Sequence, residues 1–237
     1  MAKLSSYTAA VNLIGSSFPI IQGGANRLAA VSVLDSRWGV YQAAVDPTNG
    51  DDSDDGFVVG QRWLNTVSLN EFICVQATVG SAIWRHIPRV LGTSGAALSC
   101  DGTTNENTLV SITLRAGSMG PNGALRVKTL WSFTNSGNSK NLRVRLGGTA
   151  FLDATQSANA TYQDRREIHN RNSQSSQVGW AAAATAGGGG ASASAATTAA
   201  IDTSAATTLA ITGQKASAGE TLTLESYLVE LYRPDIT

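Results

Sequence analysis

Residues 120–152 read GPNGALRVKTLWSFTNSGNSKNLRVRLGGTAFL, and this stretch decides the fold. From Lys140 to Leu146 the alternation is strict: Leu142, Val144 and Leu146 fall on one side, Arg143 and Arg145 on the other. Successive side chains of a strand point to opposite faces, so this is a strand with one buried and one wet face. Ala124 to Thr134 is a second amphipathic strand, and the polar run Asn135 to Asn138 is the turn between them. A third short strand is expected after Gly147-Gly148, running to Leu152.

The same pattern continues outward. Thr108 to Ala116 sets Val110, Ile112 and Leu114 against Leu109, Ser111, Thr113 and Arg115. Thr207 to Thr212 and Glu220 to Tyr232 supply two closing strands. The later half of the last is apolar on both faces, which predicts a central strand or an oligomer contact. Short strands separated by Gly- and Asn-rich turns, with no sustained helical periodicity, predict an all-β chain. Residues 99–237 are expected as an antiparallel, jelly-roll-like β-sandwich.

Tyr162 to Val178 is the most polar strand candidate, with Ile168 its one strongly apolar residue before Val178. Such a strand belongs at a sheet edge or against another subunit. Arg165, Arg166, Glu167 and Arg171 are therefore candidate subunit contacts, paired with Asp153, Asp164 or a neighbour's carboxylates. Exposed ion pairs contribute about 0–1 kcal/mol each, so their value is specificity rather than stability. Residues 180–200, WAAAATAGGGGASASAATTAA, are of low complexity and read as a flexible excursion.

The chain has 237 residues, with 42% hydrophobic and only 14% charged side chains. That charge is below the roughly 25% of ordinary soluble domains. It suits a β-rich protein whose surface is partly covered in an assembly. Seventeen basic residues balance seventeen acidic ones (Lys+Arg 17, Asp+Glu 17), so no basic excess marks a nucleic-acid binder. No run of eighteen apolar residues predicts a membrane span, and no apolar core of signal-peptide type opens the chain, which is expected to be soluble and made in a cytoplasm.

Upstream, Phe18-Pro19-Ile20-Ile21-Gln22-Gly23-Gly24 reads as an extended strand ending in a turn, because Pro19 pushes Phe18 into extended backbone and the glycines tolerate positive φ. Asn26 to Leu34 follows as a strand or a short helix. Residues 57–65, 71–77 and 82–87 are three short strands, a meander in which Trp63, Phe72 and Trp84 would form the core. The expected organisation is an attachment segment over 1–35, an aromatic-cored module over 36–88, a linker over 89–98, and the sandwich.

Two of these segments resemble elements of tailed-bacteriophage fibre and virion proteins. Pro19, Ile20, Ile21, Gln22, Gly23, Gly24, Asn26 and Arg27 are similar to a short strand-and-Gly-Gly element that precedes the fibre. Asp54-Asp55-Gly56-Phe57, Val59-Gly60, Arg62-Trp63, Asn65-Thr66, Phe72, Cys74, Thr78, Gly80, Ala82 and Trp84 match, in order, a small module of phage fibres, with Phe57 in place of its usual Tyr. The resemblance covers 15–35 and 54–84 closely and 99–237 loosely. It implies a virion protein, tail fibre or capsid head fibre, usually a homotrimer. By the same implication the N-terminus attaches to tail or capsid, and the sandwich faces outward to meet host-surface glycan.

No catalytic constellation is legible, so no enzyme, cofactor or resident metal is expected. His86 and His169, the two histidines, lack partners at metal-ligand spacing. Asp51, Ser53, Asp55 and Gly56 approach a calcium loop, but its twelfth position, which needs a bidentate glutamate, holds Arg62. The four consecutive glycines at 187–190 lack the following Lys and Ser/Thr of a phosphate loop. A glycosidase needs two facing carboxylates, and Asp153, Asp164 and Glu167 are candidates only by elimination. Cys74 and Cys100 stand in unrelated contexts, which argues against a disulfide between them.

Overall fold

A computed structural model describes residues 17–22, 25–30, 39–183 and 195–237, and among these every regular element is a strand. β1 (Ser17–Gln22) pairs antiparallel with β2 (Ala25–Ala30). A four-stranded sheet follows, in the order β3 (Val40–Ala43), β4 (Arg62–Asn65), β5 (Glu71–Gln76), β6 (Ile83–His86). Three of its strands lie within the expected meander. β3 is an addition, a short edge strand whose four residues show no clean alternation.

The remaining strands are β7 (Arg89–Ser94), β8 (Leu98–Ser99), β9 (Asn107–Leu114), β10 (Ala124–Phe133), β11 (Lys140–Leu146), β12 (Thr149–Gln156), β13 (Thr161–Asn170), β14 (Gln177–Gly179), β15 (Thr197–Ala199), β16 (Thr207–Lys215) and β17 (Leu222–Tyr232). One sheet runs β15-β14-β13-β10-β17-β7, with β8 also on β17; the other runs β12-β11-β16-β9. Consecutive strands alternate between the sheets: β9 in the second, β10 in the first, β11 and β12 in the second, β13 in the first, β16 and β17 again one in each. With β7 and β8 taken as one interrupted strand, two four-stranded layers result, connected as a jelly roll. The pair β14–β15 extends the first layer beyond it.

The two layers share one core. Leu125, Val127, Trp131 and Phe133 of β10 meet Leu142, Val144 and Leu146 of β11 and Leu222, Leu224, Val229 and Leu231 of β17. Each such side chain, fully buried, contributes about 1.5–3 kcal/mol. The inward set of β11 is the one its alternation predicts. β17 lies between β10 and β7, a central position in its sheet, with Val229 and Leu231 in the core and Leu228 half-buried on the other face.

Two expected boundaries differ from the structure. Arg89–Ser94, inside the expected linker, is β7, paired with β17 from Leu231↔Arg89 to Tyr227↔Ser94 with a register shift between Val229 and Glu230. Its glycine is misleading: a Cβ on Gly92 would lie 2.7 Å from Ile112 Cδ1, so Gly92 marks close packing and not freedom. The module boundary differs as well. The smaller compact unit runs to Leu64 and takes Glu71–Arg85 and Ile236–Thr237; the larger holds Asn65–Asn70 and His86–Asp235. Ile236 forms an antiparallel bridge with Trp84, with N–H···O bonds of 3.0 and 2.9 Å. The turn Asn65–Asn70 is held within the larger unit: Asn70 Nδ2 donates to Ser118 O at 2.9 Å, and Arg89 Nη1 to Leu69 O at 2.6 Å. Contacts this distant in sequence leave no local periodicity to read.

Candidate functional site

The expected attachment strand is present as backbone. β1 carries Phe18, Pro19, Ile20, Ile21 and Gln22, with Phe18 opposite Ala29 and Gln22 opposite Ala25. Gly23 and Gly24 lie outside the described residues, as do 184–194 of the Gly/Ala-rich run and 31–34 of the segment expected as a strand or a short helix.

Trp63, Phe72 and Trp84 are 3%, 0% and 0% exposed and form one cluster with Phe57, Cys74 and Ala82. The rings of Trp63 and Trp84 meet edge-on, with centroids 5.5 Å apart, and Phe57 lies 5.4 Å from each. Both indole N–H groups are satisfied: Trp63 Nε1 donates to Val45 O at 2.9 Å, and Trp84 Nε1 to Asp51 O at 3.0 Å. The acidic loop therefore has structural work. Asp52, buried, accepts from Gly80 N at 2.6 Å and from Asp54 N at 2.8 Å. Among the described residues no three His, Cys, Asp or Glu side chains converge as a metal group.

The four expected subunit contacts separate. Arg165 and Glu167 face outward, and Arg171 is exposed at the turn after β13. Arg166 points into the sandwich at 2% exposure, so it is corrected from surface contact to buried charge. Its Nε donates to Asp164 Oδ2 at 2.7 Å and its Nη1 to Ala181 O at 3.0 Å. Burial raises the Asp164 carboxyl above its ordinary range, opposed by Arg166. Period two is the reason: adjacent residues of a strand cannot share a face.

Outside, Glu167 collects two arginines, with an imidazole nearby. Arg165 Nη2 donates to it at 2.7 Å and Arg126 Nε at 3.0 Å, and His169 Nε2 stands at 3.6 Å. The hydrogen bonds from Arg165 and then Arg126 hold its carboxyl down at about 2. Arg126 also donates to Tyr232 Oη at 2.9 Å and lies 4.6 Å over that ring. On the opposite sheet Glu106 holds Arg143 and Arg145, while Asp153 takes Arg143 at 2.8 Å. Neither cysteine is activated, since burial raises both thiols, Cys100 to about 11.

β13 is hydrogen-bonded to β10 along its length but to β14 only at Ile168–Asn170. Along the rest of that edge runs a cleft of about 580 Å³, lined by Gln163–Glu167, His169 and Val178–Trp180. Consecutive lining residues from both faces of a strand place the cleft at its edge. Trp180, 38% exposed, stands at its rim.

No family model and no curated protein matches this chain. Among solved structures, the infectious bursal disease virus Gx strain superposes with a TM-score of 0.25 at 12% identity, over 64% of this chain and 42% of that one. The chain thus spans less than half of the viral chain, and a likeness so slight adds nothing to the fold described above.

Sequence reasoning passed over Gln163, weighed His169 only as a metal ligand, and left Trp180 in the low-complexity run. The first two were available from the alternation around Ile168, which puts Gln163, Arg165, Glu167 and His169 on one face. Trp180 opens a low-complexity run whose composition conceals that the chain is still anchored there: Asp153 N donates to Ala182 O at 2.8 Å.

Proposed function

We propose that this protein is a structural component of a tailed-bacteriophage virion, a short homotrimeric fibre or spike on tail or capsid. It attaches through its N-terminal segment to other virion proteins and displays the jelly roll outward, toward host-surface glycan. The observation that supports this best is the order of units: a β-hairpin, an aromatic-cored β-module and a jelly roll. The first two fall on the segments that resemble fibre proteins. The low charge and the apolar outward residue Leu228 of β17 are compatible with assembly.

Antibodies against residues 99–237 should decorate intact particles at the tail or the capsid surface. The purified chain should sediment at three times 24.5 kDa; a monomer would favour a free carbohydrate-binding module instead. A polysaccharide-cleaving spike is the other reading, because Asp164 and Glu167 line one cleft with their carboxyls pushed in opposite directions. Their odd spacing argues against it. They lie on opposite faces of β13, and Asp164 is ion-paired inside, so the two cannot flank one glycosidic bond. Reducing ends released from host polysaccharide would overturn this choice.

A further inference from the structure

We propose that the cleft at Trp180 binds a neutral saccharide. Of the tryptophans within described strands, Trp63, Trp84 and Trp131 are at most 3% exposed, whereas Trp180 leaves over a third of its surface open beside the cleft. A flat indole offers an apolar face to the C–H face of a pyranose, while its surroundings deal with hydroxyls. Those surroundings are mixed in the required way. Gln163 both donates and accepts, Arg165 donates and Glu167 accepts, with the His169 ring beside them.

Charge selects among ligands. Arg165 is paired with Glu167 and Arg166 with Asp164, so the charged side chains of the cleft sum to zero. A phosphate or a sulfated chain would need an excess of cations that this cleft does not present. The polar groups are also fixed before a ligand arrives: Glu167 is clamped by Arg126 and Arg165, which lowers the ordering cost of binding. The volume falls within the roughly 300–1,000 Å³ of small-molecule sites.

This deepens the display reading, on which it rests only for the ligand's source, the host surface. The test uses the full chain with maltohexaose, cellohexaose and a linear mannan hexasaccharide as neutral probes and a heparin hexasaccharide as the acidic one. Binding is followed by calorimetry and by tryptophan fluorescence. At least one neutral probe should bind with a Kd of about 1 mM or tighter, unchanged by added salt. Trp180→Ala should weaken it by at least about tenfold while leaving the melting temperature in place, and Trp180→Phe should retain most of it. The proposal is overturned if no neutral probe binds, if Trp180→Ala binds as the parent does, or if heparin is preferred. A trimer that binds no saccharide overturns the cleft assignment alone. A monomer that binds one overturns the fibre reading alone.

Discussion

Lys140 and Lys215 are direct Cα partners across β11 and β16, and both are buried, at 0% and 3% exposure. Two like charges facing each other inside a sandwich are tolerated because each has its own acceptors. Lys140 Nζ reaches Ser136 Oγ at 2.7 Å, Asn138 O at 2.9 Å and Glu220 Oε2 at 2.9 Å. Lys215 Nζ is held by Asp101 O at 2.5 Å and Glu220 O at 2.9 Å, with Ala218 O at 3.4 Å. The second lysine thus ties the loop before β9 to the loop before β17. Lys215→Met should cost about 3 kcal/mol, because carbonyl oxygens left without a donor in a buried site cost about 1–3 kcal/mol each. Urea denaturation of the variant beside Lys128→Met, a change on the solvent-facing side of β10, measures it; equal midpoints would contradict the assignment.

Glu220 and Glu167 set the response to acid. Hydrogen bonds from Ser136 and Asn138 and the ion pair with Lys140 hold the Glu220 carboxyl down to about 2, and the arginines do the same for Glu167. A carboxyl whose folded pKa is depressed stabilises the fold above its unfolded value, near 4.5, and loses that contribution as pH falls toward 2. The urea midpoint should therefore drop between pH 4.5 and 2. Asp164, raised by burial, works in the opposite direction. The double variant Glu167→Gln, Glu220→Gln should be less stable than the parent at pH 7 and flatter across that window. An identical pH slope in parent and variant would refute the linkage.

Thr129 carries an unused polar group. Its Oγ1 is buried on the inward face of β10 with no partner among the described residues. Valine keeps the branched shape that suits a strand and removes the unsatisfied hydroxyl. Thr129→Val is expected to gain about 1 kcal/mol. For a chain of this size that is a rise of about 2–4 °C in Tm. Calorimetry showing a fall of that size would mean the hydroxyl is satisfied by an internal water.

What could be read in advance follows from the range of each signal. Leu142, Val144 and Leu146 announce their face because period two is local, and the inward set of β10 follows the same rule. Trp63, Phe72 and Trp84 likewise belong to strands whose composition marks them. β14 and β15, three residues each, carry no period at all and are defined only by their pairing. Arg166 failed for another reason. Its type argued for the surface, and only its parity with Ile168, two residues away, showed that it points inward. The cleft was illegible because Gln163, Arg165 and Glu167 acquire meaning only from the stop of β14 at Gly179 and from Trp180 beside it.

Gly123 gives the sharpest test of how the turn before β10 is built. In sequence it closes a Pro-Asn-Gly turn, where glycine is expected for its conformational freedom. Its constraint is steric instead: a Cβ there would lie 1.9 Å from Met119 O and 3.1 Å from Tyr232 O, both backbone atoms. The carbonyl of Gly123 also accepts from Asn170 N at 2.9 Å, so the chain cannot retreat without breaking the β13 end of the sheet. At Gly92 the clash is with the end of the Ile112 side chain, which can turn away. Gly123→Ala should therefore cost at least about 3 kcal/mol or abolish folding, while Gly92→Ala should cost about 1 kcal/mol. Soluble yield and thermal melting of the two variants side by side check the order. If Gly123→Ala melts with the parent, the close approach of Met119 is not a feature of the folded chain.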